Sequence, residues 1–228
     1  MTQQLQTESK NQLLKGKKIF IFDLHGVLIC LNKKEVIRQL WKAPDKTSII
    51  LSCCNPFFLK EAINLWFSTI VLEEFITKMM DDFPKINKNR QAALLTANAQ
   101  KPIIPMIDLV KKLKQDGSQI YIFSNIGNES IAILQEKLPD IFKLFDGVYN
   151  ATSKKKYLAK PNPQSFIDFL NAFNLVPTEQ LVFVDDKQKN IDTAASLGMA
   201  TVKVKKIAAA IATLENMRTS HPHSSPKS

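Results

Sequence analysis

The sequence predicts an α/β protein, a Rossmann-like parallel sheet core with an inserted α-helical cap domain. Three observations predict it. Runs of apolar, β-branched and aromatic residues at 18–22, 119–123, 147–149 and 181–184 have the composition of strands buried on both faces, with 201–204 a weaker fifth. Helical patterns separate these runs, as crossovers between parallel strands require. Between the first strand and residue 101 the alternation stops, and helical character alone fills the gap.

In chain order, residues 1–16 read as an N-terminal tail, and 17–32 opens the core with its first strand. Residues 33–100 are expected to form the helical cap, with helical patterns at 35–41, 58–80 and 90–98. In the longest of these Leu59, Ile63, Trp66 and Ile70 recur at spacings of four and three, the stripe by which an amphipathic helix packs on its neighbours. The core resumes over 101–212. A helix over 104–115 stops at Asp116-Gly117, and one over 129–138 stops before Pro139. A helix over 165–173 follows Asn162-Pro163, a capping residue and a first-turn proline, and one over 191–197 closes on Gly198. Residues 213–228 are expected to be a disordered tail, polar and ending in RTSHPHSSPKS.

The composition, 45% hydrophobic and 23% charged, is that of a soluble globular chain. Net charge is +10, but the lysines lie in scattered twos and threes without interleaved aromatics. They read as solvated faces, not a nucleic-acid surface, and their field favours anionic substrates. The three cysteines, Cys30, Cys53 and Cys54, fit neither a disulfide framework nor a metal-site spacing. Reduced thiols and the absence of a signal-peptide pattern in MTQQLQTESK point to the cytoplasm. The longest uncharged run, 47–59, contains Asn55-Pro56 and is short of the ~20 residues that a membrane span needs.

Ligands of parallel α/β sheets bind beyond the carboxyl ends of the strands, so the residues there are the ones to inspect. The first strand runs into Asp23-Leu24-His25-Gly26, the second ends in Phe123-Ser124-Asn125, a loop after the third holds Lys160-Pro161-Asn162-Pro163, and the fourth ends in Asp185-Asp186. One edge of the sheet thus gathers carboxylates, a hydroxyl and an ammonium. That set suits a divalent cation and a phosphoryl group. Taken singly these residues have plainer readings: Ser124-Asn125 as turn chemistry, Lys160 as a solvated lysine, Asp23 as a cap. Asp185-Asp186 is harder to explain away, because adjacent carboxylates at a buried strand end repel unless a cation or base is near.

In this order the segments DLHGVL, FSN, the KPNP lysine and FVDDKQKNIDTAASLGM resemble the four motifs of the haloacid dehalogenase superfamily. The resemblance covers residues 18–205, and the helical insertion sits where that family places its first cap. It implies Mg²⁺ as cofactor, a small phosphorylated metabolite as substrate, and Asp23 as the nucleophile that forms an aspartyl-phosphate. It further implies that Asp186, an Asp23 oxygen and the backbone carbonyl of His25 ligate the metal, with Asp185 acting through a water. Ser124 would donate to a phosphoryl oxygen, Asn125 would orient neighbouring groups there, and Lys160 would neutralise transition-state charge.

The chain departs from the phosphatase pattern at His25, where a second aspartate ordinarily protonates the leaving alcohol and then activates water. General acid–base help is worth about 10²–10⁴-fold. An imidazole with an unperturbed pKa of about 6.5 could itself shuttle the proton. A nearby cation and Lys160 disfavour the imidazolium, which weakens it as an acid and leaves it a base for the second half-reaction, and these two effects pull in opposite directions. The leading expectation is therefore an Mg²⁺-dependent phosphomonoester hydrolase. The alternatives are a catalytically weakened phosphate- or metabolite-binding relative and, behind both, a dehalogenase.

Overall fold

The computed structural model describes residues 18–32, 99–126, 128–150 and 158–219, together with Lys34, Glu35 and Arg38. Five strands form one parallel sheet: β1 (Ile19–Phe22), β4 (Gln119–Ser124), β5 (Gly147–Asn150), β6 (Leu181–Asp185) and β7 (Ala200–Lys203), in the spatial order β5-β4-β1-β6-β7. A smaller antiparallel pair, β2 (Ile29–Leu31) and β3 (Gln100–Pro102), lies beside it. The helices are α1 (Ile104–Gln115), α2 (Asn128–Lys137), α3 (Pro139–Phe142), α4 (Pro163–Ala172), α5 (Gln188–Ser196) and α6 (Ile207–Thr219).

Strand alternation divides the core into two layers. Phe20, Phe22, Ile120, Ile122, Val182 and Val184 face one side and pack with Met106, Val110 and Leu113 of α1, Leu134 of α2 and Leu214 of α6. Ile21, Tyr121, Phe123, Leu181 and Phe183 face the other, with Phe166, Phe169 and Leu170 of α4 and Ile191 and Ala194 of α5. On this second face Phe123 stacks on Phe169, ring centroids 4.9 Å apart, and meets Phe166 edge-on at 5.1 Å. Each such fully buried side chain is worth about 1.5–3 kcal/mol of transfer free energy. The cost of moving this packing keeps the strand ends, and so the site, in place.

β1 is central, and the chain winds outward from it twice, through β4 and β5 on one side and through β6 and β7 on the other. The order reverses beside β1. A crevice at such a switch point is where an open parallel sheet binds ligands.

All five expected strands form, within a residue or two at each end. The helices expected in the core form too, with α4 beginning at Pro163 on the Asn162 cap, whose side chain accepts from the Gln164 N–H at 2.9 Å. Two features differ from the sequence reading. The β2–β3 ribbon, which joins the two ends of the insertion, is absent from it. So is α6: the tail expected from residue 213 is helical through Thr219. Leu214 is wholly buried, Lys112 pairs with Glu215 at 3.0 Å, Arg218 pairs with Asp116 at 2.6 Å, and Lys18 Nζ donates to the Met217 carbonyl at 2.9 Å. Leu214, with Met217 packed against the same core, and charge pairs to Lys112 of α1 and to Asp116 just past it hold a segment whose composition is mostly polar. Nearly all of the expected cap, and the tail segments 1–17 and 220–228, lie outside the described residues; of the first cap helix, Glu35 and Arg38 are helical. No helix among the described residues is long and apolar enough to cross a membrane.

Candidate active site

Asp23 follows β1 directly, and its N–H continues the ladder to the Val184 carbonyl at 2.8 Å. Asp185 is the last residue of β6, and Ser124 the last of β4. The sheet register therefore brings these three side chains to one edge. Lys160, the fourth component, lies in the loop before α4 and is 1% exposed.

The ammonium of Lys160 has three donors and uses each: Asp23 Oδ1 at 2.9 Å, Asp185 Oδ2 at 2.8 Å and the Phe123 carbonyl at 2.7 Å. The rings of Phe123 and Phe183 lie 4.9 and 5.2 Å from it. Burial alone would lower this lysine's pKa, but Asp185 and Asp23 outweigh that and hold it above its ordinary value.

Asp185 and Asp186 are adjacent in sequence and differ in environment. Asp185, fully buried, accepts from the Lys187 N–H at 2.8 Å, from Lys160 and from Asn190 Nδ2 at 2.9 Å. Asp186 keeps a buried Oδ1 with no hydrogen-bond partner. Asp23, Asp185 and Asp186 each bring an oxygen within 4.8 Å of the others. Asp23 and Asp185 pair with the Lys160 ammonium and the charge of Lys187 also acts on Asp186, so the three carboxylates still outnumber the two cations. Burial pushes the Asp23 carboxyl up to about 6, against the pull of Lys160, and burial with the charge of Asp185 raises Asp186. An orphaned buried oxygen beside a surplus of carboxylates fits a hard divalent cation, which takes oxygen ligands.

Gly26, with φ +76°, turns the chain after His25, and its N–H bonds to the Ile29 carbonyl at 2.8 Å. His25 is partly exposed. Its imidazole is lowered to about 4, by burial first and then by the charges of Lys187 and Lys160. Ser124 Oγ, buried, accepts from the Ile126 N–H at 3.4 Å, the turn chemistry open to this residue, which leaves its proton for another acceptor.

Asn125 meets the backbone of Lys160. Its Oδ1 accepts from the Lys160 N–H at 2.8 Å and its Nδ2 donates to the Lys160 carbonyl at 2.7 Å. The structure thus gathers Asp23, Ser124, Lys160, Asp185 and Asp186, with His25 beside them and Asn125 turned to the lysine backbone. Sequence reasoning overlooks Asn190, whose only signal is an amide one turn into the helix that follows the acidic pair. It also overlooks the steric demand on Gly26.

Fold and site together define a doubly wound α/β protein with a carboxylate–lysine centre at its topological switch point. The chain belongs to the haloacid dehalogenase-like hydrolase family, whose model matches residues 17–198. It is similar to acyl-CoA dehydrogenase family member 10 of Mus musculus, 31% identical over 124 residues, which are 54% of this chain and 11% of that protein. It is also similar to sesquiterpene phosphatase astK of Aspergillus oryzae, 29% identical over 104 residues, 46% of this chain and 51% of that one. The match thus spans about half the length of one relative and far less of the other. A haloacid dehalogenase family enzyme of Bacteroides thetaiotaomicron shares the fold with a TM-score of 0.59 at 23% identity, over 83% of this chain and 94% of that one. The same enzyme has been solved in complex with magnesium and inorganic phosphate. Solved dehalogenases share the fold as well, so fold alone leaves the reaction open.

Proposed function

We propose that this protein is an Mg²⁺-dependent phosphomonoester hydrolase that acts on a small phosphorylated metabolite through an aspartyl-phosphate on Asp23. The observation that carries this reading is the meeting of Asp23, Asp185 and Asp186 around Lys160, with an Asp186 oxygen buried and unpartnered. The magnesium and phosphate bound by the Bacteroides enzyme, and the phosphatase activity in the name of the Aspergillus relative, support it.

In this reading Asp23, Asp186 and the backbone carbonyl of His25 would hold the metal, with Asp185 in an outer, water-mediated place. Asp185 is suited to the outer place because both its oxygens already accept hydrogen bonds. When bound, Mg²⁺ supplies positive charge that offsets repulsion between the nucleophile and the phosphoryl oxygens. Asp23 attacks phosphorus, forming one P–O bond as the ester P–O bond breaks. Lys160 takes up charge on the phosphoryl oxygens and on Asp23, and the Ser124 hydroxyl donates to one of those oxygens. Water then attacks the same phosphorus and frees Asp23.

His25, held neutral, has no proton to give the leaving alkoxide but can accept one from the attacking water. Residues 33–100, as a helical cap, would exclude bulk water and select the substrate. The unpaired Cys30 thiol is in keeping with a cytoplasmic setting.

A second reading, a phosphate- or metabolite-binding protein with weakened turnover, is favoured by the lowered His25 alone. Dehalogenation ranks below both, because it gives the acidic pair at 185–186 no metal to hold. The deciding experiment is Mg²⁺-dependent release of phosphate from an activated aryl ester, compared between the wild type and Asp23→Asn. Activity that Asp23→Asn abolishes supports the hydrolase. Binding of beryllofluoride with no turnover at any pH would replace it with the second reading.

A further inference from the structure

We propose that Asn125 is a positioning residue: it fixes the backbone of Lys160 so that the ammonium reaches Asp23, and it does not itself hold the phosphoryl group. The inference rests on the hydrolase reading for its kinetic arm and on geometry alone for its structural arm.

Asp23, Ser124 and Asp185 are set by the sheet ladder, since each ends or directly follows a strand. Lys160 has no such support. A lysine is a point charge on a flexible stem, and its head is only as well placed as its base. The segment that carries it is tied down from three elements. Asn125, one residue past β4, bonds to both the N–H and the C=O of Lys160, at 2.8 and 2.7 Å. Thr193 of α5 donates to the Pro161 carbonyl at 3.0 Å, and Asn162 caps α4.

Among these ties only Asn125 grips the lysine's own peptide groups. Its amide cannot be turned over, because a backbone N–H must meet the oxygen and a backbone carbonyl the nitrogen. The same β4 end also supplies the Phe123 carbonyl that the ammonium binds at 2.7 Å. Base and head of Lys160 are therefore both referenced to β4, and a misplacement near 1 Å at such a site can cost roughly 10²-fold in rate.

The test compares wild type, Asn125→Ala, Asn125→Asp, Lys160→Met and the double variant Asn125→Ala/Lys160→Met, with aryl phosphate and Mg²⁺. Asn125→Asp keeps the shape and the bond from the Lys160 N–H, so it reports even if the alanine variant folds poorly. Either Asn125 variant should lower kcat by on the order of 10–100-fold with KM little changed. The double variant should be no slower than Lys160→Met. A raised KM with kcat kept, or losses that add in the double variant, would assign Asn125 to the phosphoryl group and overturn the proposal. Crystal structures of the two Asn125 variants give the second arm. Lys160 Nζ is expected to leave Asp23 Oδ1, and finding it still in place overturns the proposal whatever the reaction. Absence of turnover in the wild type would count against the hydrolase reading and leave this second arm to decide the role of Asn125.

Discussion

A β-carbon on Gly26 would lie 2.6 Å from Asp186 Oδ2 and 3.1 Å from its Cγ. The turn after β1 and the carboxylate after β6 therefore come together only because residue 26 has no side chain. Gly26 also has φ +76°, a conformation that other residues adopt at a cost of about 1–2 kcal/mol. Gly26→Ala should accordingly displace Asp186 while leaving the protein folded. Mg²⁺ affinity, measured by calorimetry or by the metal dependence of phosphate release, is expected to fall on the order of 10–100-fold. Unchanged affinity would exclude Asp186 as a ligand held by this contact.

Asp23 and His25 titrate in opposite senses, which gives a signed test of the site's electrostatics. The Asp23 carboxyl is raised by burial from 3.8 to about 6, so it favours the folded chain most below its unfolded pKa, and the benefit is lost as pH rises through about 6. His25 is lowered by burial and nearby lysines from 6.5 to about 4, so its contribution is full above pH 6.5 and is lost as pH falls through about 4. Asp186, also raised by burial, works in the sense of Asp23. In denaturant melts with EDTA between about pH 4 and 7, the wild type should change little as these slopes oppose one another. Asp23→Asn should gain stability as pH rises, and His25→Gln should lose it. The same slope in both variants would contradict this assignment.

If the proposed hydrolase reading holds, His25 also sets which esters turn over. With its pKa near 4, only about 10⁻³ of the imidazole carries a proton at pH 7, so the leaving group must depart with little help. Aryl phosphates should therefore outrun alkyl phosphates by about 10²–10⁴-fold in kcat/KM. His25→Asp, which supplies a carboxylic acid at the same position, should narrow the gap by at least tenfold, or about 1.4 kcal/mol of barrier. A gap that does not change in His25→Asp would show that residue 25 takes no part in proton transfer.

The sequence alone determined the five strands of the main sheet and the identity of the groups at their ends. Central parallel strands are buried on both faces, so IFIF, QIYIFS and LVFVD read as continuous apolar runs, and a carboxylate or hydroxyl that ends such a run stands out. The order DLHGVL, FSN, KPNP and FVDD carried the family in the same local way. What lay beyond its reach depends on partners far away in the chain. β2 and β3 have three residues each and pair across the whole insertion, which leaves no periodic signal. The helix through Thr219 depends on Leu214 and on Lys112 and Asp116, charges in and just after α1 roughly 100 residues earlier. Only the tertiary structure decided that Asp185 is saturated and Asp186 is not, that Asn125 grips the lysine backbone, and that Gly26 is required by Asp186. Each of these is a matter of which atoms meet within about 3 Å, and hydrogen bonds and steric exclusion act at that range only once the sheet has set the register.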